Sequence, residues 1–222
     1  MRTNEELQKD VQNAIKWEPL LHAAEIGVTV KDGVVTLTGT VDGYYKKKEA
    51  ETAAKNVAGV KAVVEQIEIK YSNNLTKTDN DIANEVLKAL KDNWAVSEDH
   101  VKVKVEDGWV NLEGELTWNF QKQDAKNCIS YLPGVRGVTN DIKIKSDIAN
   151  AIEKKDIEKA LKRAWGVNEK EITVIVDGTH VKLTGFVDSI FQKDQVEQIV
   201  WKTPGIWSID NDLVIEYDYA SL

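Results

Sequence analysis

One strand-like phrase occurs three times in the chain: "DGVVTLTGTV" at 32–41, "DGWVNLEGEL" at 107–116 and "DGTHVKLTGFV" at 177–187. Internal repetition of this kind limits the possible architectures more than any local propensity. Aligning Val30 with Val105 and Val176 sets offsets of 75 and 71 residues. Without a gap, the same offsets relate Leu37, Leu112 and Leu183, then Ile69, Ile144 and Ile215. They also relate Gly39, Gly114 and Gly185 at the end of the phrase, and Gly59, Gly134 and Gly205 further on. Three copies of one unit therefore span residues 1–71, 72–146 and 147–222, with the polar stretch 71–80 as a linker.

Each unit opens with apolar residues in steps of four: Leu7, Val11 and Ile15 in the first copy, Ile82, Val86 and Leu90 in the second. That spacing lines one face of a helix. Thr3 followed by Glu6 suits a capping box. In the third copy "SDIANAIEKKDIEKALKRAW" reads as one uninterrupted helical pattern. Two alternating strands joined by an Asp-Gly turn follow, which is a hairpin signal. A second helix ends near Pro133-Gly134 or Pro204-Gly205, because proline cannot continue a helix and glycine suits the position beyond its end. A last strand closes the unit: "EQIEIKY", "TNDIKIK" or "DNDLVIEY".

The order predicts an α+β fold of three tandem two-layer sandwich repeats. Each is helix-strand-strand-helix-strand with a small mixed three-stranded sheet, a buried face and a solvated face. Val28, Val30, Val35 and Leu37 are expected beneath the helices; Thr29, Lys31, Thr36 and Thr38 are expected on the open side. Gly39, Gly114 and Gly185 take a structural role where the second strand turns toward helix two.

This order, the "V-T-L-x-G-x-V" strand and the later "G-V-x-x-V-x-N-x-I" segment resemble the BON (bacterial OsmY and nodulation) domain. The second copy, "GWVNLEGEL" with "LPGVRGVTNDIKI", shows it best. The first copy has Glu65 and Gln66 where an asparagine would be usual, and the third keeps Asn211 but has Ile206 for the usual valine. The resemblance covers nearly the whole chain. It implies a non-enzymatic stress-response module that binds anionic phospholipid, the cell envelope or envelope proteins.

Composition narrows the alternatives. The net charge is −8 with no long basic block, so nucleic-acid binding is not expected. Lys+Arg against Asp+Glu is 10 to 11, 10 to 12 and 9 to 14 along the three units, making the third the acidic one. A single cysteine, Cys128, and three dispersed histidines offer no metal-ligand spacing, and no phosphate-binding loop occurs. No enzyme, metal or cofactor is expected. No apolar run is long enough to span a membrane, and read from Met1 the chain is cytoplasmic; behind a cleaved leader it would be periplasmic.

Two sets of residues stand out as candidate sites. At the start of helix two an aromatic precedes a lysine by two positions: Tyr45 and Lys47, Phe120 and Lys122, Phe191 and Lys193. The first copy enriches this pair to Tyr44-Tyr45-Lys46-Lys47-Lys48, and ring plus ammonium suits a lipid headgroup layer. The second set comprises tryptophans that align with polar or small residues in another copy: Trp109, Trp118, Trp201 and Trp207. Exposed rings of this kind serve an interface, either between domains or with a partner. A chaperone-like scaffold working through these rings, and a potassium sensor built from backbone carbonyls, are the alternative functions.

Overall fold

A computed structural model describes residues 3–21, 26–71, 77–96, 98–145, 152–164 and 171–216. Among them lie six helices and nine strands in threefold order. They are α1 (Asn4–Trp17), β1 (Ile26–Lys31), β2 (Val34–Val41), α2 (Tyr44–Lys55) and β3 (Ala62–Ile69) in repeat one. Repeat two has α3 (Asp79–Asp92), β4 (Val101–Glu106), β5 (Trp109–Leu116), α4 (Asn119–Ser130) and β6 (Gly137–Ile144). Repeat three has α5 (Lys154–Arg163), β7 (Ile172–Asp177), β8 (His180–Val187), α6 (Ile190–Trp201) and β9 (Ser208–Ile215). The chain divides into two compact units: Met1–Gly39, Glu49–Ile67 and Ile148–Leu222 form one, Thr40–Lys48 and Glu68–Asp147 the other.

The steps of four become the buried faces of their helices: Leu7, Val11 and Ile15 in α1, and Ile82, Val86 and Leu90 in α3. Both helices begin with a capping box, Thr3 with Glu6 and Thr78 with Asp81, so two orphan donors are satisfied reciprocally at each start. α5 departs from the uninterrupted pattern. It starts only at Lys154, with Glu153 extended before it, and residues 146–151 lie outside the described residues. The cause is visible in the repeat alignment: Glu153 occupies the position of Leu7 and Ile82, so the first apolar anchor is missing. Only Ile157 and Leu161 hold α5 to its core.

Each sheet has the middle strand of the repeat at its centre, in the orders β1-β2-β3, β4-β5-β6 and β7-β8-β9. The hairpins are antiparallel, Val28 opposite Leu37 and Val103 opposite Leu112, whereas β5–β6 and β8–β9 are parallel. The crossover helix α4 or α6 makes the parallel pairing possible. Val28, Val35 and Leu37 are buried and Val30 is half-buried, with Thr29 and Lys31 exposed. Repeat three packs Ile157, Leu161, Val174, Val181, Leu183, Val187, Val196 and Val200 into one core.

Two tethers join the layers. A first-turn side chain of the opening helix reaches the Asp-Gly turn: Asn4 Oδ1 accepts from the Asp32 N–H, and the Asp79 carboxylate accepts from the N–H groups of Asp107 and Gly108, all at 2.9 Å. The motif asparagines tie the last strand to helix two. Asn140 Nδ2 donates to the Lys122 carbonyl at 2.7 Å and Asn211 Nδ2 to that of Lys193 at 3.2 Å. The glycine that ends the repeated phrase is dictated by its neighbour strand. At Gly114 φ is +146°, and a Cβ there would lie 1.9 Å from the carbonyl oxygen of His100; at Gly185 φ is +123° and the same distance separates it from that of Glu171. Backbone passes where a side chain would stand.

Candidate functional site

The basic cluster at the start of α2 is engaged with its surroundings. Lys46 pairs with Asp42 at 2.9 Å, and its ammonium lies 6.0 Å from the centre of the Tyr45 ring. Tyr45 in turn stacks on Tyr131, with centroids 5.7 Å apart, and Lys48 donates to Asn127 Oδ1 at 2.8 Å. Tyr44 and Lys47, like the other three residues, are only partly exposed. The related pairs are divided. Phe120 and Phe191 are exposed, whereas the Lys193 ammonium is spent on the Leu213 carbonyl at 2.8 Å, and Lys122 is half-buried.

The four tryptophans also separate. Trp109 is exposed and its ring lies against Gly137, where a Cβ would meet it at 2.2 Å. Trp207 is exposed and its backbone N–H donates to the Thr179 carbonyl. Trp118 is half-buried at the start of α4, its N–H bonded to Gln121 Oε1. Trp201 does not stand free on the surface: it packs against the repeat-three core, with its indole N–H on Glu197 at 3.2 Å.

Among the described residues, the most exposed rings are ones the sequence reading did not single out. Trp94, just beyond α3, is 89% exposed and stacks on Phe120 at 6.4 Å between centroids. Trp17, the last residue of α1, is 84% exposed, with Leu20 open beside it in sequence. Both tryptophans sit at the end of the opening helix, and Phe120 supplies the start of helix two in the same repeat. The repeat comparison held the signal for Trp17, which aligns with Asp92 and Arg163, so the shared core has no use for a ring there.

Burial pushes the Cys128 thiol up, and burial also raises the Tyr71 phenol, which donates to the Val135 carbonyl. Tyr71 lines an open cleft of about 610 Å³ with Lys77, Asp79, Asp107, Gly134 and Arg136. Its Asp79 is already committed to the turn above and its Lys77 to Glu85. Among the described residues no group of three or more His, Cys, Asp or Glu could hold a metal ion, and no helix is long and apolar enough to cross a membrane.

The three repeats share one helix-strand-strand-helix-strand sandwich, and in the second and third the motif asparagine ties the last strand to helix two. The chain belongs to the BON domain family, whose model matches residues 3–71, 78–146 and 150–217. Among curated proteins, Osmotically-inducible protein Y of Escherichia coli (strain K12) is 30% identical over 129 residues, which is 56% of this chain. The match spans 64% of that protein's length. Two solved chains of CdsD, a structural protein of the type III secretion system of Chlamydia trachomatis, align over 97% and 95% of this chain and 100% and 92% of theirs. Their 17% identity and TM-scores of 0.26 and 0.25 mark a loose likeness.

Proposed function

We propose that this chain is a non-catalytic module that attaches to anionic phospholipid at a cell-envelope surface, in a response to osmotic stress. The observation that carries the reading is the Trp94–Phe120 stack. Two large rings, one 89% and the other 48% exposed, lie together at one end of repeat two. An indole held in water gains most where one edge can be apolar and the other wet, which is the headgroup layer of a bilayer. Trp17 and Leu20 offer the same chemistry in repeat one. The osmotic context comes from the name of the Escherichia coli relative, and membrane attachment is an association of the BON family.

The rings take the leading part in this reading, ahead of the lysines. Lys46 and Lys48 are partnered, and each lysine at an anionic surface contributes only about 1 kcal/mol. Moving two rings out of water offers about 3 kcal/mol, roughly a hundredfold in partitioning. The test is co-flotation of the full chain with vesicles rich in phosphatidylglycerol and cardiolipin, set against zwitterionic vesicles. Selective flotation should be abolished by Trp94→Ala with Phe120→Ala and largely survive Lys46→Glu with Lys48→Glu. Absence of flotation with anionic vesicles, or flotation indifferent to the ring substitutions, would overturn the reading.

A further inference from the structure

The two stacked rings of repeat two are carried by different elements, Trp94 by the turn that follows α3 and Phe120 by the first turn of α4. The turn is held by its own backbone and by its first side chain. The Val96 N–H donates to the Asn93 carbonyl at 3.2 Å, and the Ala95 N–H donates to Asn93 Oδ1 at 2.9 Å. Ala95 and Val96 are buried, so the chain is anchored directly behind a ring that stands in water.

One side chain joins this turn to α4. Gln121, half-buried, donates through Nε2 to the Ala95 carbonyl at 2.8 Å and accepts through Oε1 from the Trp118 N–H at 3.0 Å. Ala95 follows Trp94 in the chain and Gln121 follows Phe120, so the link lies beside both rings. Only an amide serves both bonds: a glutamate at this helix position accepts from the N–H but has no proton for the carbonyl. The repeats associate the same residues in sequence. Repeat three has Gln192 with Phe191 and Trp165 at the aligned positions, Trp165 lying outside the described residues. Repeat one has Lys46 in place of the glutamine and Pro19 in place of the tryptophan, and its Lys46 pairs with Asp42. We infer that Gln121 is a positioning residue for attachment to anionic lipid: its amide holds the Trp94 turn against α4, so that Trp94 and Phe120 enter the headgroup layer as one unit. The inference rests on the lipid reading given above.

What the link supplies is order before binding. A ring on a free turn has to be fixed when it enters the headgroup layer, whereas a ring already set beside its neighbour gave up that freedom when the chain folded. The centroid separation of 6.4 Å and the interplanar angle of 29° are the arrangement so held. Gln121 acts through Trp94, so removing its amide should matter only while Trp94 is present. Loss of a cap would by contrast weaken the start of α4 whatever residue stood at position 94. The two roles are therefore separable by combining substitutions.

The test uses the full chain. Gln121→Met is uncharged and of similar length but has neither donor nor acceptor; Gln121→Glu keeps the acceptor for the Trp118 N–H. Without lipid, the nuclear Overhauser contact between the Trp94 and Phe120 ring protons should be present in the parent and absent from both variants. Slow amide exchange at the buried Leu112 and Ile142 should persist in all three, showing that repeat two remains folded. With vesicles rich in phosphatidylglycerol and cardiolipin, Gln121→Met should weaken binding about fivefold in the parent and leave it unchanged in a Trp94→Ala background. A ring contact that survives either substitution, binding unaffected by Gln121→Met, or an equal loss in the Trp94→Ala background would overturn the inference and leave the lipid reading standing. A parent that does not bind those vesicles would overturn the lipid reading and the inference with it.

Discussion

Gly185→Ala tests the closest approach in the fold, and Gly178→Ala is its internal control. A Cβ on Gly185 would sit 1.9 Å from the Glu171 carbonyl oxygen and 3.2 Å from the Ile172 Cα. Real Cβ contacts stay at or beyond 3.0 Å, so the start of β7 must retreat by about 1.1 Å. The two atoms belong to backbone, and no side chain can swing aside. Alanine at φ +123° adds about 1–3 kcal/mol of conformational strain. Loosening the Ile172–Gly185 pairing loses about one hydrogen bond more, for a total of about 4 kcal/mol. Gly178 also has positive φ, +59°, but its Cβ would meet nothing within 4 Å. There alanine costs about 1–2 kcal/mol of left-handed strain, reduced by a smaller loss of unfolded-chain entropy, for a net of about 1. Urea unfolding followed by amide exchange at Leu183 and Val196, both fully buried in repeat three, would compare the two. Two variants within about 1 kcal/mol of each other would refute the argument from backbone contact.

Further predictions follow from the caps, the thiol and the rings. Asp81 accepts from the Thr78 hydroxyl at 2.6 Å and from its N–H at 3.0 Å, and these bonds hold its carboxyl below the ordinary range. A folded value below the unfolded one means stability fully present above about pH 4 and lost as pH falls through the folded value. Asp81→Asn should therefore lower the melting temperature at neutral pH and coincide with the parent in strong acid; a gap that persists there counts against the cap. Thr78→Ala should cost about 1 kcal/mol in the same melt. Cys128, its thiol pushed up by burial and bonded to the Ala125 carbonyl, should react with iodoacetamide at pH 8 at least about tenfold more slowly than in urea. Rapid native alkylation would contradict that placement. If Trp94 enters a headgroup layer, tryptophan emission should shift blue on adding anionic vesicles, and Trp94→Ala should remove most of the shift.

The threefold order was legible because its signals are local and repeated. Steps of four, alternating strands, Asp-Gly turns and the glycine of the repeated phrase each follow from backbone geometry or helix periodicity, and three copies cancel the noise of any single one. The late start of α5 was legible only in part: Glu153 stands in the sequence at an anchor position, but only the structure shows the helix beginning at Lys154. The candidate sites were less visible. Lysines and tyrosines in a row identify a cluster, but partners far along the chain, Asn127 and Tyr131, occupy it. Trp201 looked dispensable by alignment and is nevertheless packed, because a surface helix can turn a ring back along its own body onto Glu197 and the core. Sequence alone determined the repeating unit, its strand order and the residues that fill each core, since these depend on periodicities of two and of about four. Only tertiary structure decided which aromatic side chains remain in water, at Trp94 and Trp17. Exposure depends on what every other part of the chain brings near a residue, and no short stretch of sequence contains that.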